Sequence, residues 1–180
     1  MSVIACLGWG SLIWNPGVLE TRGIWHDDGP MIRVEFLRKS DEGRRITLVL
    51  DEDAPPTRSL WTVMNTNEID TAAENLRVRE GTVAKRIGRW RRNEPSPANI
   101  HDLPAWAIAH GVDEVVWTAL GHNFHDSGAR PSADDVVRHL AGLPDRRDAE
   151  RYVRRAPPQI DTPYRRVIEE ALAWTPKESD

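Results

Sequence analysis

The chain of 180 residues has a single cysteine, Cys6, so no intramolecular disulfide can staple it. Cys6 lies inside an apolar run, where a thiol packs as a small buried hydrophobe and is not expected to act as a nucleophile. No apolar stretch approaches the roughly 20 residues of a membrane-spanning helix. The first residues carry neither a basic leader nor a long apolar segment, so a cytoplasmic location without membrane attachment is expected. Positive charge is also short: 24 Lys and Arg against 28 Asp and Glu give a formal charge of −4. A general nucleic-acid binder, whose affinity rests on many phosphate contacts, is therefore not expected. The arginine runs Arg89-Trp90-Arg91-Arg92, Arg146-Arg147 and Arg154-Arg155 read as solvated or salt-bridged faces, with carboxylates around the last two. Internal repeats, heptads and low-complexity tracts are missing too, which argues against a fibre or solenoid.

What is present suits a soluble globule: 39% hydrophobic and 29% charged residues, in a length that can bury a proper core. Residues 1–174 are expected to form a single domain and residues 175–180 a polar tail. Val3 to Leu7 reads as a short buried strand. Gly17 to Thr21 fits one helical turn. Ile32 to Lys39 and Arg44 to Leu50 read as strands joined across Ser40-Asp41-Glu42-Gly43, and Arg58 to Met64 as another strand. The period then changes. Thr66 or Asn67 can cap a helix with Ile69, Ala72, Ala73 and Leu76 on one face, ending near Arg79 with Glu80 at its exit and Gly81 at the turn. Val83 to Trp90 re-enters a sheet, Leu103 to His110 is helical, and Glu114 to Leu120 reads as an inner strand or, in its first part, a helix extension.

The C-terminal third is helical. Ser132 with Asp135 forms a variant capping box before Val136, Val137 and Leu140. Asp145 to Arg154 is a charged second segment. Asp161-Thr162-Pro163 supplies a cap followed by proline at the first helical position, with Val167, Ile168, Ala171, Leu172 and Trp174 expected to be buried. A compact mixed sheet with peripheral helices, an α+β fold, follows from this order of elements.

Two short stretches carry the chemistry. Cys6-Leu7-Gly8-Trp9-Gly10-Ser11-Leu12-Ile13-Trp14-Asn15-Pro16-Gly17 is a strand that breaks into glycines, a hydroxyl and an Asn-Pro turn, so that main-chain groups can face a ligand. Leu76-Arg77-Val78-Arg79-Glu80-Gly81 sets a glutamate four residues after a leucine at a helix exit. Taken alone, Glu80 is a surface carboxylate or ion-pair partner, Ser11 a local cap and Trp9 or Trp14 a core anchor.

Taken together, the two stretches resemble the gamma-glutamylcyclotransferase-like proteins. Gly10-Ser11-Leu12 stands in their substrate-clamping loop, with Trp9 in the place of a tyrosine, and Glu80 matches their catalytic glutamate. Trp117 to Leu120 and Pro157 to Arg166 are similar to uncharacterised bacterial members. The resemblance implies a mixed sheet or small curved β-barrel with surrounding helices. It also implies cyclisation of a gamma-glutamyl amine or peptide to 5-oxoproline with release of an amine, a reaction assigned to transferases or lyases. Glu80 would shuttle the proton, and Gly8, Trp9, Gly10, Ser11 and Leu12 would bind substrate. Because the substrate's own α-amine is the nucleophile, no metal or diffusible cofactor is required.

Other readings fit less well. Gly8-Trp9-Gly10 lacks the third glycine of a dinucleotide fingerprint and places bulk where phosphate should approach. Ser11 has no evident histidine and aspartate partners for a serine nucleophile. His122, His125 and Asp126, with His139 at a distance, form the best metal candidate, although no spacing turns them inward. The main alternative to an enzyme is a small-molecule-binding or assembly protein that uses the same pocket without turnover.

Overall fold

A computed structural model describes residues 1–176 as a mixed α+β fold, with a central mixed sheet and peripheral helices. Residues 177–180 of the expected polar tail lie outside the described residues. The strands are β1 (Ile4–Gly8), β2 (Met31–Ser40), β3 (Arg45–Leu50), β4 (Pro56–Arg58), β5 (Leu60–Val63), β6 (Ile87–Arg91), β7 (Ile100–His101) and β8 (Glu114–Thr118). The helices are α1 (Ile69–Glu80), α2 (Leu103–Ala109), α3 (Ala133–Ala141), α4 (Arg147–Arg155) and α5 (Pro163–Leu172). The chain divides into two compact units, one of Met1–Ile32 with Arg58–Leu120 and one of Arg33–Thr57 with Gly121–Asp180. No helix among the described residues is long and apolar enough to cross a membrane.

In the first unit four strands run in the order β5-β1-β8-β6. β1 is antiparallel to β5, with Gly8 opposite Leu60, and parallel to β8, with Cys6 opposite Val116. An inner strand has both faces covered, which is why β1 is buried throughout and reads as an unbroken apolar run. α1 packs over β6 and β8. Its Ile69, Ala72, Ala73 and Leu76, at helical spacing, join Ile4, Cys6, Leu12, Met64 and Val116 in one core.

Three local expectations are corrected here. Residues 17–21 form no helical turn; the Leu19 amide donates to the Pro16 carbonyl in a β-turn, and Thr21 bridges to Met64. Neither Thr66 nor Asn67 caps α1. The residue before the helix is Glu68, and Thr66 instead accepts the Glu68 amide in a turn just ahead of it. The strand expected over Val83 to Trp90 is preceded by a short 3₁₀ turn, Ala84–Arg86, so pairing begins only at Ile87. The reading of Glu114 onward as a strand is the one the fold takes.

In the second unit β2 and β3 form the expected hairpin, with Asp41, Glu42 and Gly43 all in the left-handed region. α3 and α4 pack on β3, and α3 on α5. The capping box of α3 is complete: Ser132 accepts the Asp135 amide, and the Asp135 carboxylate accepts the Ser132 amide. Those bonds to Ser132 are the main reason the Asp135 carboxyl is held down at about 2. A depressed carboxyl stabilises the fold above its unfolded pKa, near 3.9, and that contribution is lost as pH falls through the folded value. Acidification from about 4 to about 2 is therefore expected to fray the first turn of α3. Amide-exchange NMR checks this, with the Asp135 amide deprotecting ahead of the rest of the helix.

α5 begins as expected, with Thr162 accepting the Arg165 amide and Pro163 at the first position. A buried carboxylate, Glu35 of β2, holds this end: it accepts the Thr162 hydroxyl at 2.5 Å and the Tyr164 amide at 3.1 Å. Burial pushes the Glu35 carboxyl up, against the lowering effect of those bonds. Of the expected buried face Ile168 and Trp174 are buried, but Val167 and Ala171 are exposed, and Arg165 is buried instead. The Thr162 cap sets the phase, and residue 165 then points at the end of α4. There the Arg165 guanidinium donates to the Val153, Ala156, Pro157 and Ile160 carbonyls and to Glu169. Two of those carbonyls lie in the last turn and at the cap of α4, where no intrahelical donor remains.

Candidate functional site

Glu80 continues the apolar stripe of α1, four residues beyond Leu76, so its side chain lies against the first unit's core and is only 15% exposed. A carboxylate at a helix C-terminus opposes the helix dipole. The opposing charge comes from its neighbour, Arg79, which is 12% exposed and donates from Nη1 to Glu80 Oε1 at 2.8 Å. Helix α1 then stops at Gly81, whose φ of 60° is the left-handed conformation that glycine adopts without strain. Arg77 turns away from this centre, pairing with Glu74 and donating to the Thr82 carbonyl.

The N-terminal stretch meets Glu80 through the same arginine. Arg79 Nη2 donates to the Asn15 carbonyl at 2.6 Å and to Ser11 Oγ at 3.4 Å. The two stretches singled out in the sequence are thus tied together by one guanidinium. Cys6 lies close by, fully buried in the middle of β1. Burial pushes its thiol far up, the Glu80 charge adds to that effect and the Arg79 charge opposes it. A thiol so held is inert as a nucleophile.

Gly10 to Asn15 forms a tight turn in which the Gly10 carbonyl accepts the Ile13 amide and the Ser11 carbonyl accepts the Asn15 amide. The amides of Gly10, Ser11 and Leu12 find no acceptor among the described residues. They are the donors available to an anionic or carbonyl group. Leu12 and Trp9 are buried, and Leu12 packs into the first unit's core. Gly8 has a packing task. A Cβ there would lie 2.7 Å from the Trp25 ring, so the missing side chain makes room for Trp25, which packs on the core. Farther along, Asn75 of α1 accepts the Glu20 amide at 2.6 Å and donates to the Val18 carbonyl, fixing the chain that leaves the turn.

The sequence places Arg79 beside Glu80, where a guanidinium can stabilise the carboxylate, but does not show which way it points. Asn75 and Trp25 are polar or aromatic residues with no pattern of their own, and sequence reasoning missed both.

Two of the candidate metal histidines, His125 and His139, are engaged elsewhere. His139 Nε2 lies 2.6 Å from the Gly43 carbonyl, His125 faces Asp135 at 3.6 Å, and Phe124 stands edge-on to both rings. No group of three or more His, Cys, Asp or Glu side chains among the described residues is arranged to hold a metal ion. Arg89, Arg91 and Arg92 are paired with Asp70, Glu114 and Asp113, and Arg147 and Arg154 with Asp145 and Glu150.

No protein-family model, curated protein or solved structure matches this chain.

Proposed function

We propose that the chain cyclises a gamma-glutamyl amine or peptide to 5-oxoproline, with Glu80 as the proton shuttle and the Gly10-Ser11-Leu12 turn as the main-chain clamp. The observation that carries this reading is the Arg79 bridge, which sets a little-exposed carboxylate beside a turn whose amides are unpaired. In the proposed reaction Glu80 takes a proton from the substrate's α-ammonium. The freed amine attacks the γ-carbonyl carbon and the ring C–N bond forms. Glu80 returns its proton to the leaving nitrogen as that C–N bond breaks, and the second proton of the ring nitrogen passes to the released amine, which leaves as an ammonium. Atoms balance without water, metal or an enzyme nucleophile. The turn's amides would receive the substrate carboxylate or the developing oxyanion. Holding the two ends of the gamma-glutamyl unit together supplies the proximity on which such intramolecular reactions depend. The same reading takes the fold as gamma-glutamylcyclotransferase-like, with its sheet curved towards a small barrel, and the setting as cytoplasmic.

A second reading, binding without turnover, is favoured by the fact that Glu80 Oε1 is already held by Arg79. Product analysis separates the two. Purified protein incubated with a panel of gamma-glutamyl dipeptides, gamma-glutamyl amines and glutathione is expected to yield 5-oxoproline with stoichiometric amine, unchanged after chelation, by mass spectrometry. Binding without product across the panel would favour the second reading, and free glutamate as the main product would overturn the intramolecular attack.

A further inference from the structure

We propose that Arg79 is a positioning residue: its guanidinium holds one oxygen of Glu80 and pins the Ser11–Asn15 turn to it, leaving Glu80 Oε2 for a ligand's ammonium. This rests on the cyclisation reading above. Three observations carry it beyond an ordinary ion pair. Adjacent residues on a helix do not face one another, so an Arg79–Glu80 contact is not a product of helix geometry. The Asn15 carbonyl, at 2.6 Å from Nη2, draws the guanidinium round to where Nη1 meets Oε1. Second, the contact is sheltered, both side chains being largely buried, so solvent does little to loosen it. Third, Oε2 accepts no hydrogen bond from any described residue, while Oε1 is occupied. The carboxylate is thereby oriented with one oxygen committed to the protein and one uncommitted. A planar fork is needed for this. Lysine at the same place offers one point charge and cannot span Glu80 and Asn15 in fixed geometry.

Arg79→Lys and Arg79→Gln test the proposal, with Glu80→Gln alongside. On whichever panel compound the wild-type protein cyclises, kcat is expected to fall about 10- to 100-fold in both Arg79 variants, because misplacement of a reacting group by about 1 Å can cost that much. KM should move less than kcat. Hydrogen exchange at the Ile13 and Asn15 amides should quicken, with the middle of α1 unchanged. A lysine variant with wild-type kcat and wild-type exchange would overturn the positioning role while cyclisation stood. Wild-type kcat with quickened exchange would also overturn it, since the turn would then matter to structure alone. If the wild-type protein cyclises nothing on the panel, the cyclisation reading fails by itself. The exchange measurement then decides the bridge: quickened exchange supports it and unchanged exchange overturns it.

Discussion

Replacing Glu80 by glutamine is expected to reduce turnover of a gamma-glutamyl compound by about 10²–10⁴-fold, the usual contribution of a positioned acid–base group. Much of the substrate affinity should be retained, because the main-chain clamp is untouched and only the contact of Glu80 with the ammonium is weakened. Glutamine keeps the size of the side chain, and its carbonyl can still accept from Arg79 Nη1, which now bonds Glu80 Oε1. The other position becomes an amide nitrogen that cannot take a proton from an ammonium. The predicted loss is far larger than the roughly 0–1 kcal/mol of an exposed ion pair, so the size of the effect identifies the role. A crystal structure of the variant with the Gly10–Asn15 turn intact would place the defect at the proton-transfer step. Full activity with an unchanged pH profile would remove Glu80 from the reaction.

Arg165→Ala is expected to destabilise the fold by about 3–5 kcal/mol, the range found when one partner is removed from a buried charged network. The guanidinium is 2% exposed and serves four carbonyls as well as Glu169. Its removal strands the carbonyls at the end of α4 and breaks its link to α5. The midpoint of urea unfolding should fall without a large change in the slope. Arg165→Lys should recover part of the loss, because an ammonium can reach some of the carbonyls but not all. A cost below about 1 kcal/mol, the range of a surface pair, would show that water replaces the guanidinium there.

Much of the fold was legible in the sequence for local reasons. The apolar run of β1, the capping box at Ser132 and Asp135, and the Thr162-Pro163 start of α5 are signals carried within a few residues. The errors came where a distant partner decided the outcome. Arg165 was not expected inside, because the carbonyls it satisfies belong to α4 and its connection to α5. The packing of Trp25 in the space left by the missing Cβ of Gly8, seventeen positions away, likewise carries no local signal. The candidate site shows the same division. The Gly10-to-Asn15 turn and Glu80 each left a mark in the sequence. The guanidinium that joins them, across 64 positions from Arg79 to Asn15, left only an arginine next to a glutamate.

The most direct test is the reaction run in H₂¹⁸O with wild-type protein, following the fate of the gamma-glutamyl carbon by mass spectrometry. Attack by the substrate's own amine consumes no water, so 5-oxoproline should form without solvent oxygen while amine is released in equal amount. Glutamate carrying ¹⁸O would mean that water, not the α-amine, is the nucleophile, and a substrate bound and returned unchanged would mean that no reaction takes place at Glu80.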